Sequence, residues 1–311
     1  MIIDLPDTTV SQVAKQLVKV REEGGAVALG RVLTLVIAAR NGVAESAIDA
    51  ANDASREHPM RVIVLTTGEG EPHLDAQIRV GGDAGASEVI VLHAYGAAAS
   101  NAESLVTGLL LPDAPVVAWW PEEAPTDAAA SPLGRIAQRR ITDAATSPDV
   151  RDRLALLART HAPGDTDLAW TRLTHWREQL AAVLDQPPFE PVTGVEVRGA
   201  AASPSTALLA AWLQLALDVP VRWSYEAPEH WQDGIKSVRL TRAAGDILLE
   251  RPTADVAILT QPDQPDHELH LPRRTLRECL AEELRRLDAD VLYGRVITTG
   301  WEQLGPPERD A

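Results

Sequence analysis

Residues 111–123, LPDAPVVAWWPEE, constrain the fold of this chain more than any other stretch. Pro112 and Asp113 signal a turn, and Pro115 can only open a strand, because it lacks the amide that a central ladder requires. Val116, Val117 and Ala118 form a short apolar strand that runs into Trp119 and Trp120 and stops at Pro121. Successive side chains of a strand point to opposite faces, so one indole is expected to look into the domain and the other out of it. In an open α/β sheet, ligands and partners meet the fold at the carboxyl ends of strands. Either both indoles pack, one under a helix and one under a loop, or Trp119 and Trp120 belong to a partner-binding surface.

The remaining elements place this strand in an α/β layer. Thr8 to Glu23 reads as a helix with Val10, Val13, Ala14 and Leu17 at helical spacing and a Gly24-Gly25 stop. GRVLTLVIAAR (30–40) reads as a strand buried on both faces, and Asn41-Gly42 turns into an Ala-rich helix that Pro59 ends. MRVIVLTT (60–67), Leu74 to Val80 and Glu88 to His93 read as strands. A helix from Ser100 to about Leu110 leads into the Trp-bearing strand. The order describes a mixed sheet with helices.

A length of 311 residues suggests two domains, and 45% hydrophobic content can bury a core in each. The clearest boundary is DQPPFEPVTG (185–194), where Pro187, Pro188 and Pro191 can continue neither a helix nor a central strand. We therefore expect an N-terminal α/β domain over 1–187 and a C-terminal one over 188–311. The second half repeats the plan of the first. Strands at Val195–Arg198 and Val219–Trp223 flank a helix at Ser205–Leu217, and a hairpin turns at Ala244-Gly245. A strand at Val256–Leu259, a helix at Thr275–Leu287 and a last strand at Val291–Ile297 complete it. The expected fold is thus two similar mixed-sheet α/β domains, in a pattern compatible with internal duplication.

Charge and cysteine content narrow the function. A net charge of −16 argues against a nucleic-acid or anionic-membrane surface, both of which need clustered cations. The N-terminus MIIDLPDTT has no basic n-region, and the apolar run Val32 to Ala39 is too short to span a bilayer, so a cytoplasmic protein is expected. Cys279 is the only cysteine, which excludes an intrachain disulfide and a Cys-built zinc cage. The HxxH spacing of His267 and His270 does not by itself define a metal site, and neither a metal nor a cofactor is expected.

Three groups of residues stand out. Wound at about 100° per residue, the helix expected over Asp167–Leu184 carries Leu173, Trp176, Leu180 and Val183 on one stripe. Trp170 falls at its rim beside Asp167, Thr174 and Arg177, the mixture that an interface anchor contains. An intrahelical polar network is the alternative. Arg135, Arg139 and Arg140 cluster in an acidic chain and suit a phosphate, a carboxylate or a partner, unless Asp143 pairs with them locally. Glu283 sits inside an apolar stripe and needs a partner, Arg273 or an arginine from another segment. No GxSxG elbow, HExxH, CxxC or P-loop occurs.

Several long segments, in order, carry a resemblance: HPMRVIVL (58–65), LPDAPVVAWWP (111–121), SPLGRIAQRRITDA (131–144), DLAWTRLTHWREQLA (167–181) and LPRRTLRECLAEELRRLDADVLYGRVI (271–297). Together they resemble the glucose-6-phosphate dehydrogenase assembly protein family, called OpcA, and the composition is similar to its actinobacterial branch. The resemblance implies a non-enzymatic partner of glucose-6-phosphate dehydrogenase, needed for its assembly or full activity in the oxidative pentose phosphate pathway. It also links cyanobacterial relatives to thioredoxin-type control, which the single Cys279 cannot support through an internal dithiol. The competing expectation is a sugar-phosphate or other anion binder, or an enzyme, built on Arg135, Arg139 and Arg140.

Overall fold

A computed structural model describes residues 1–23, 30–40, 43–81, 88–227, 231 and 234–308. The Gly24-Gly25 stop, the Asn41-Gly42 turn and most of GGDAGAS (81–87) lie outside them. The chain divides into two compact units that are interleaved in sequence. The first comprises 1–146, 164–166 and 276–289; the second comprises 147–163, 167–275 and 290–311. The Pro187-Pro188 segment falls within the second.

In order the elements are β1 (Ile2–Leu5), α1 (Val10–Glu23), β2 (Leu33–Ala38), α2 (Ala44–Ala54), β3 (Met60–Gly68), β4 (His73–Arg79) and β5 (Glu88–Tyr95). Then come α3 (Ala102–Thr107), β6 (Val116–Trp119), α4 (Pro132–Ile136), β7 (Arg139–Thr142), α5 (Val150–Thr160), β8 (Asp165–Asp167), α6 (Leu168–Thr171) and α7 (Thr174–Leu184). The remainder is β9 (Gly194–Ala200), α8 (Pro204–Leu217), β10 (Val221–Glu226), β11 (Ile235–Thr241), β12 (Ile247–Glu250), β13 (Val256–Thr260), β14 (His267–His270), α9 (Leu276–Arg285), α10 (Val291–Arg295) and α11 (Trp301–Gln303).

The first sheet has eight strands in the order β1-β4-β5-β3-β2-β6-β7-β8. Within it β5, β3, β2, β6 and β7 run parallel, and β4 is antiparallel to both β5 and β1. Taken in chain order, the five parallel strands lie as 3-2-1-4-5, a doubly wound arrangement whose order reverses between β2 and β6. Strand alternation sorts the core. Val36, Ile63, Leu65, Ile90, Leu92, Val116, Ala118 and Trp120 face one way, packed with Val13 and Leu17 of α1 and Val106 of α3. Leu35, Ile37, Val62, Val64 and Trp119 alternate with them, are equally buried and so face the other way.

Helix α9, from near the end of the chain, completes the first unit. Arg277 and Arg285 reach Asp53 (3.7 Å) and Glu57 (3.0 Å). Its Glu283 is buried and is the partner of Arg139, whose Nε donates to Oε2 at 2.9 Å and whose Nη2 donates to the same oxygen. Thr166 Oγ1 donates to Oε1 at 3.2 Å. The arginine that answers this carboxylate therefore comes from strand β7.

The second sheet has six strands in the order β10-β9-β11-β12-β13-β14. Only β9 and β10 are parallel, joined through α8; the others form an antiparallel run. Both units are thus α/β with mixed sheets, but the sheets have different strand orders. Residues 291–297, expected as a strand, are instead α10 followed by a π-helical turn at Val296–Gly300. Tyr293, Val296, Ile297 and Gly300 are the buried positions, a helical spacing. Asp290 accepts from Tyr293 N at 2.8 Å and starts the helix.

Candidate functional site

The reversal between β2 and β6 opens a cleft of about 460 Å³ at the carboxyl ends of β2, β3 and β6. Ala38, Leu65, Trp120 and Leu133 supply apolar lining, and Arg40, Glu122 and Glu123 supply charge. Local sequence explains each wall. Pro121 ends β6 directly after Trp120, so Glu122 and Glu123 are delivered at the strand's carboxyl end. Ser131 caps α4, its Oγ accepting from Gly134 N at 3.0 Å and donating to Ala128 O at 2.7 Å. A Cβ at Gly134 would stand 1.7 Å from Ala128 O, so only glycine allows α4 to close against this loop.

Arg40 follows β2 and crosses to Glu122 in a bidentate pair, Nη2 to Oε1 at 2.8 Å and Nε to Oε2 at 3.2 Å. The pair is asymmetric: the Arg40 side chain is 68% exposed and that of Glu122 only 18%. The hydrogen bond from Arg40 holds the Glu122 carboxyl below the usual carboxylate range, and the bond to Glu122 raises Arg40. Thr67 and Ser131 are the hydroxyls of the lining. Among the described residues, no three His, Cys, Asp or Glu side chains stand close enough together to hold a metal ion.

Most of the residues singled out by sequence are buried: Trp176 lies in the core as expected, and of the two readings of Trp119 and Trp120 the packed one holds. Trp119 and Trp120 obey alternation, but both faces of the sheet are covered: they are 0% and 4% exposed, so neither looks outward. Trp120 edges the cleft. The helix expected over 167–184 is divided by a tighter turn at Arg172-Leu173, where Leu173 N bonds to Trp170 O at 3.0 Å. That shift of phase turns Trp170 inward, to 1% exposed. Its Nε1 donates to Asp290 Oδ2 at 2.8 Å, and the Arg177 guanidinium lies 3.8 Å from its ring centroid. Asp167 is buried and caps α6 through Ala169 N at 2.9 Å. Arg177 also donates to Thr174 at 3.2 Å, and Trp176 is 3% exposed with Arg251 over its ring. Arg273 lines a narrow crevice with Trp176 and Arg251.

Arg135, Arg139 and Arg140 do not converge. Residues 139 and 140 lie on a strand, not a helix, and therefore diverge. Arg139 goes to Glu283 and Asp288 O, Arg140 to Asp165 and Ala137 O, and the exposed Arg135 to Glu103 at 3.0 Å. An anion site formed by all three together does not exist in this geometry. Sequence reading passed over Arg40 and Glu122. Their signal was available: a charged residue within a few positions of the carboxyl end of each of two apolar strands that the order β-α-β could make neighbours.

Fold and cleft together define a two-unit α/β protein with a charged cleft at the switch point of its doubly wound sheet. Residues 51–159 match the glucose-6-phosphate dehydrogenase subunit N-terminal domain, and residues 163–297 match the corresponding C-terminal domain. The chain belongs to the OpcA family of glucose-6-phosphate dehydrogenase assembly proteins. No curated protein matches it. Among solved structures, an oxidoreductase from Sinorhizobium meliloti is similar at 11% identity and TM-score 0.46, over 87% of this chain and 95% of that one. Glucose-6-phosphate 1-dehydrogenase from Mycobacterium avium is similar at 12% identity and TM-score 0.42, over 87% and 90%. No helix among the described residues is long and apolar enough to cross a membrane.

Proposed function

We propose that this chain is a non-catalytic assembly factor and allosteric activator of glucose-6-phosphate dehydrogenase, acting in the cytoplasm on the oxidative pentose phosphate pathway. Family membership supports the association with the dehydrogenase. The observation that carries the reading furthest is the cleft. It occupies the place where a doubly wound sheet presents its ligand, and its charged groups are one arginine tied to one of two glutamates. Such a set suits holding a partner. Trp120, at the cleft's edge, is the sequence-marked residue best placed to contribute to the surface; Trp119, Asp167, Trp170 and Arg177 contribute by holding their units in shape.

Activation means that the chain binds one conformation of the dehydrogenase better than another. A coupling of about 1–3 kcal/mol changes substrate affinity roughly 5- to 150-fold, and the substrate strengthens the complex by the same factor. The test is to measure the dissociation constant of the complex with and without saturating glucose 6-phosphate. Tighter binding with substrate is expected, and equal affinity removes allosteric activation at equilibrium. The purified chain alone should turn over no glucose 6-phosphate.

A further inference from the structure

The Arg40–Glu122 pair has the form of a carboxylate kept occupied by its own chain. Glu122 is largely withdrawn from water, whereas Arg40 lies mostly in it. Arg40 is thus the member that can leave, because its guanidinium returns to water when the pair opens, whereas Glu122 keeps its need for a counterion. Its release leaves Glu122 able to take another guanidinium in the same bidentate geometry. Glu123 is exposed beside it, and Leu65, Trp120 and Leu133 offer apolar lining for the stem of a long side chain. A volume of about 460 Å³ admits such a side chain with its neighbouring residues. The chain's net charge of −16 draws cationic surfaces towards it.

We propose that this cleft seats an arginine of the partner dehydrogenase, which displaces Arg40 from Glu122 and is held by Glu122 and Glu123. Arginine fits better than lysine because its planar fork matches the carboxylate with two parallel bonds. The inference rests on the partner reading above. It makes the two members of one ion pair behave oppositely: Glu122 belongs to the docking site, and Arg40 competes for it.

The test titrates full-length wild type, Arg40→Met, Glu122→Gln and Glu123→Gln against purified dehydrogenase at low and moderate salt, with melting curves to show that each variant is folded. Expected are binding about 3- to 10-fold tighter for Arg40→Met, at least about 10-fold weaker for Glu122→Gln, and weaker by a smaller factor for Glu123→Gln. All affinities should fall as salt rises. If wild type binds but Arg40→Met and Glu122→Gln shift affinity in the same direction or not at all, the exchange is overturned while the partner reading stands. Should Glu122→Gln fail to fold, Arg40→Met and Glu123→Gln still decide, since unchanged affinity in both overturns it. Absence of any wild-type complex overturns both readings together.

Discussion

Arg139 and Glu283 are 144 positions apart in sequence and form a buried ion pair inside the first unit. Removing one partner leaves a buried charge without its counterion, at a cost of about 3–5 kcal/mol. Glu283→Leu should therefore lower the melting temperature strongly. The double variant Arg139→Met/Glu283→Leu should recover most of the loss, because two apolar side chains of similar volume replace the pair. If the double variant melts as low as the sum of the singles, the two residues are not coupled.

Trp170 should behave as an interior residue and not as an exposed binding anchor. Trp170→Ala removes a fully buried indole, at about 3–5 kcal/mol. Trp170→Phe keeps most of the packing but leaves Asp290 without the Nε1 donor, costing about 1–3 kcal/mol. Thermal unfolding should rank wild type, Phe and Ala in that order. A Trp170→Ala protein that melts like wild type would contradict the burial.

Gly134→Ala tests the wall of the cleft. The added methyl meets a backbone oxygen, which yields far less readily than the end of a flexible side chain. Overpacking of this kind costs about 1–3 kcal/mol. The variant should lose stability by that order, and its tryptophan fluorescence should shift as the loop beside Trp120 moves.

The Glu45–Arg79 pair sets one acid-sensitive contribution. Arg79 donates to both carboxylate oxygens of Glu45, at 2.7 and 2.8 Å, and these bonds depress the Glu45 pKa. A depressed folded-state value means the contribution is full above the unfolded pKa, near the ordinary 4.5, and is lost as pH falls through the folded value. Glu45→Gln should thus lower stability slightly at pH 7 and flatten its decline below about pH 4.5. The Glu45 side chain is 67% exposed, so the effect stays within about 1 kcal/mol. Parallel acid-denaturation curves for variant and wild type would refute it.

Where periodicity was strong, sequence sufficed. The run LTLVIA is apolar at every position but Thr34, which is itself buried, because β2 is covered on both faces, and the Ala-rich helix after it was legible from the spacing of its apolar positions. Strand β7 was not legible: Arg139 and Arg140 read as members of a basic cluster, and it is Glu283 and Asp165, both distant in sequence, that receive these arginines as interior residues. Residues 291–297 misled because VLYGRVI is rich in strand formers while its buried positions are spaced as in a helix. The inward turn of Trp170 depended on a local tightening at Arg172-Leu173 that no uniform helical wheel contains. The cleft was half legible. The Trp-Trp-Pro-Glu-Glu end of β6 was evident, but its neighbour Arg40 became evident only with the strand order.

The insertion of 276–289 into the first unit also bears on how the protein is made. During synthesis the ribosome releases the first 146 residues long before it reaches Glu283. The nascent N-terminal portion thus waits with Arg139 unanswered and the α9 side of α2 uncovered. Chain truncations ending before residue 276 are then expected to be caught by chaperones or degraded, and a stop codon late in the message should be as damaging as one in the middle.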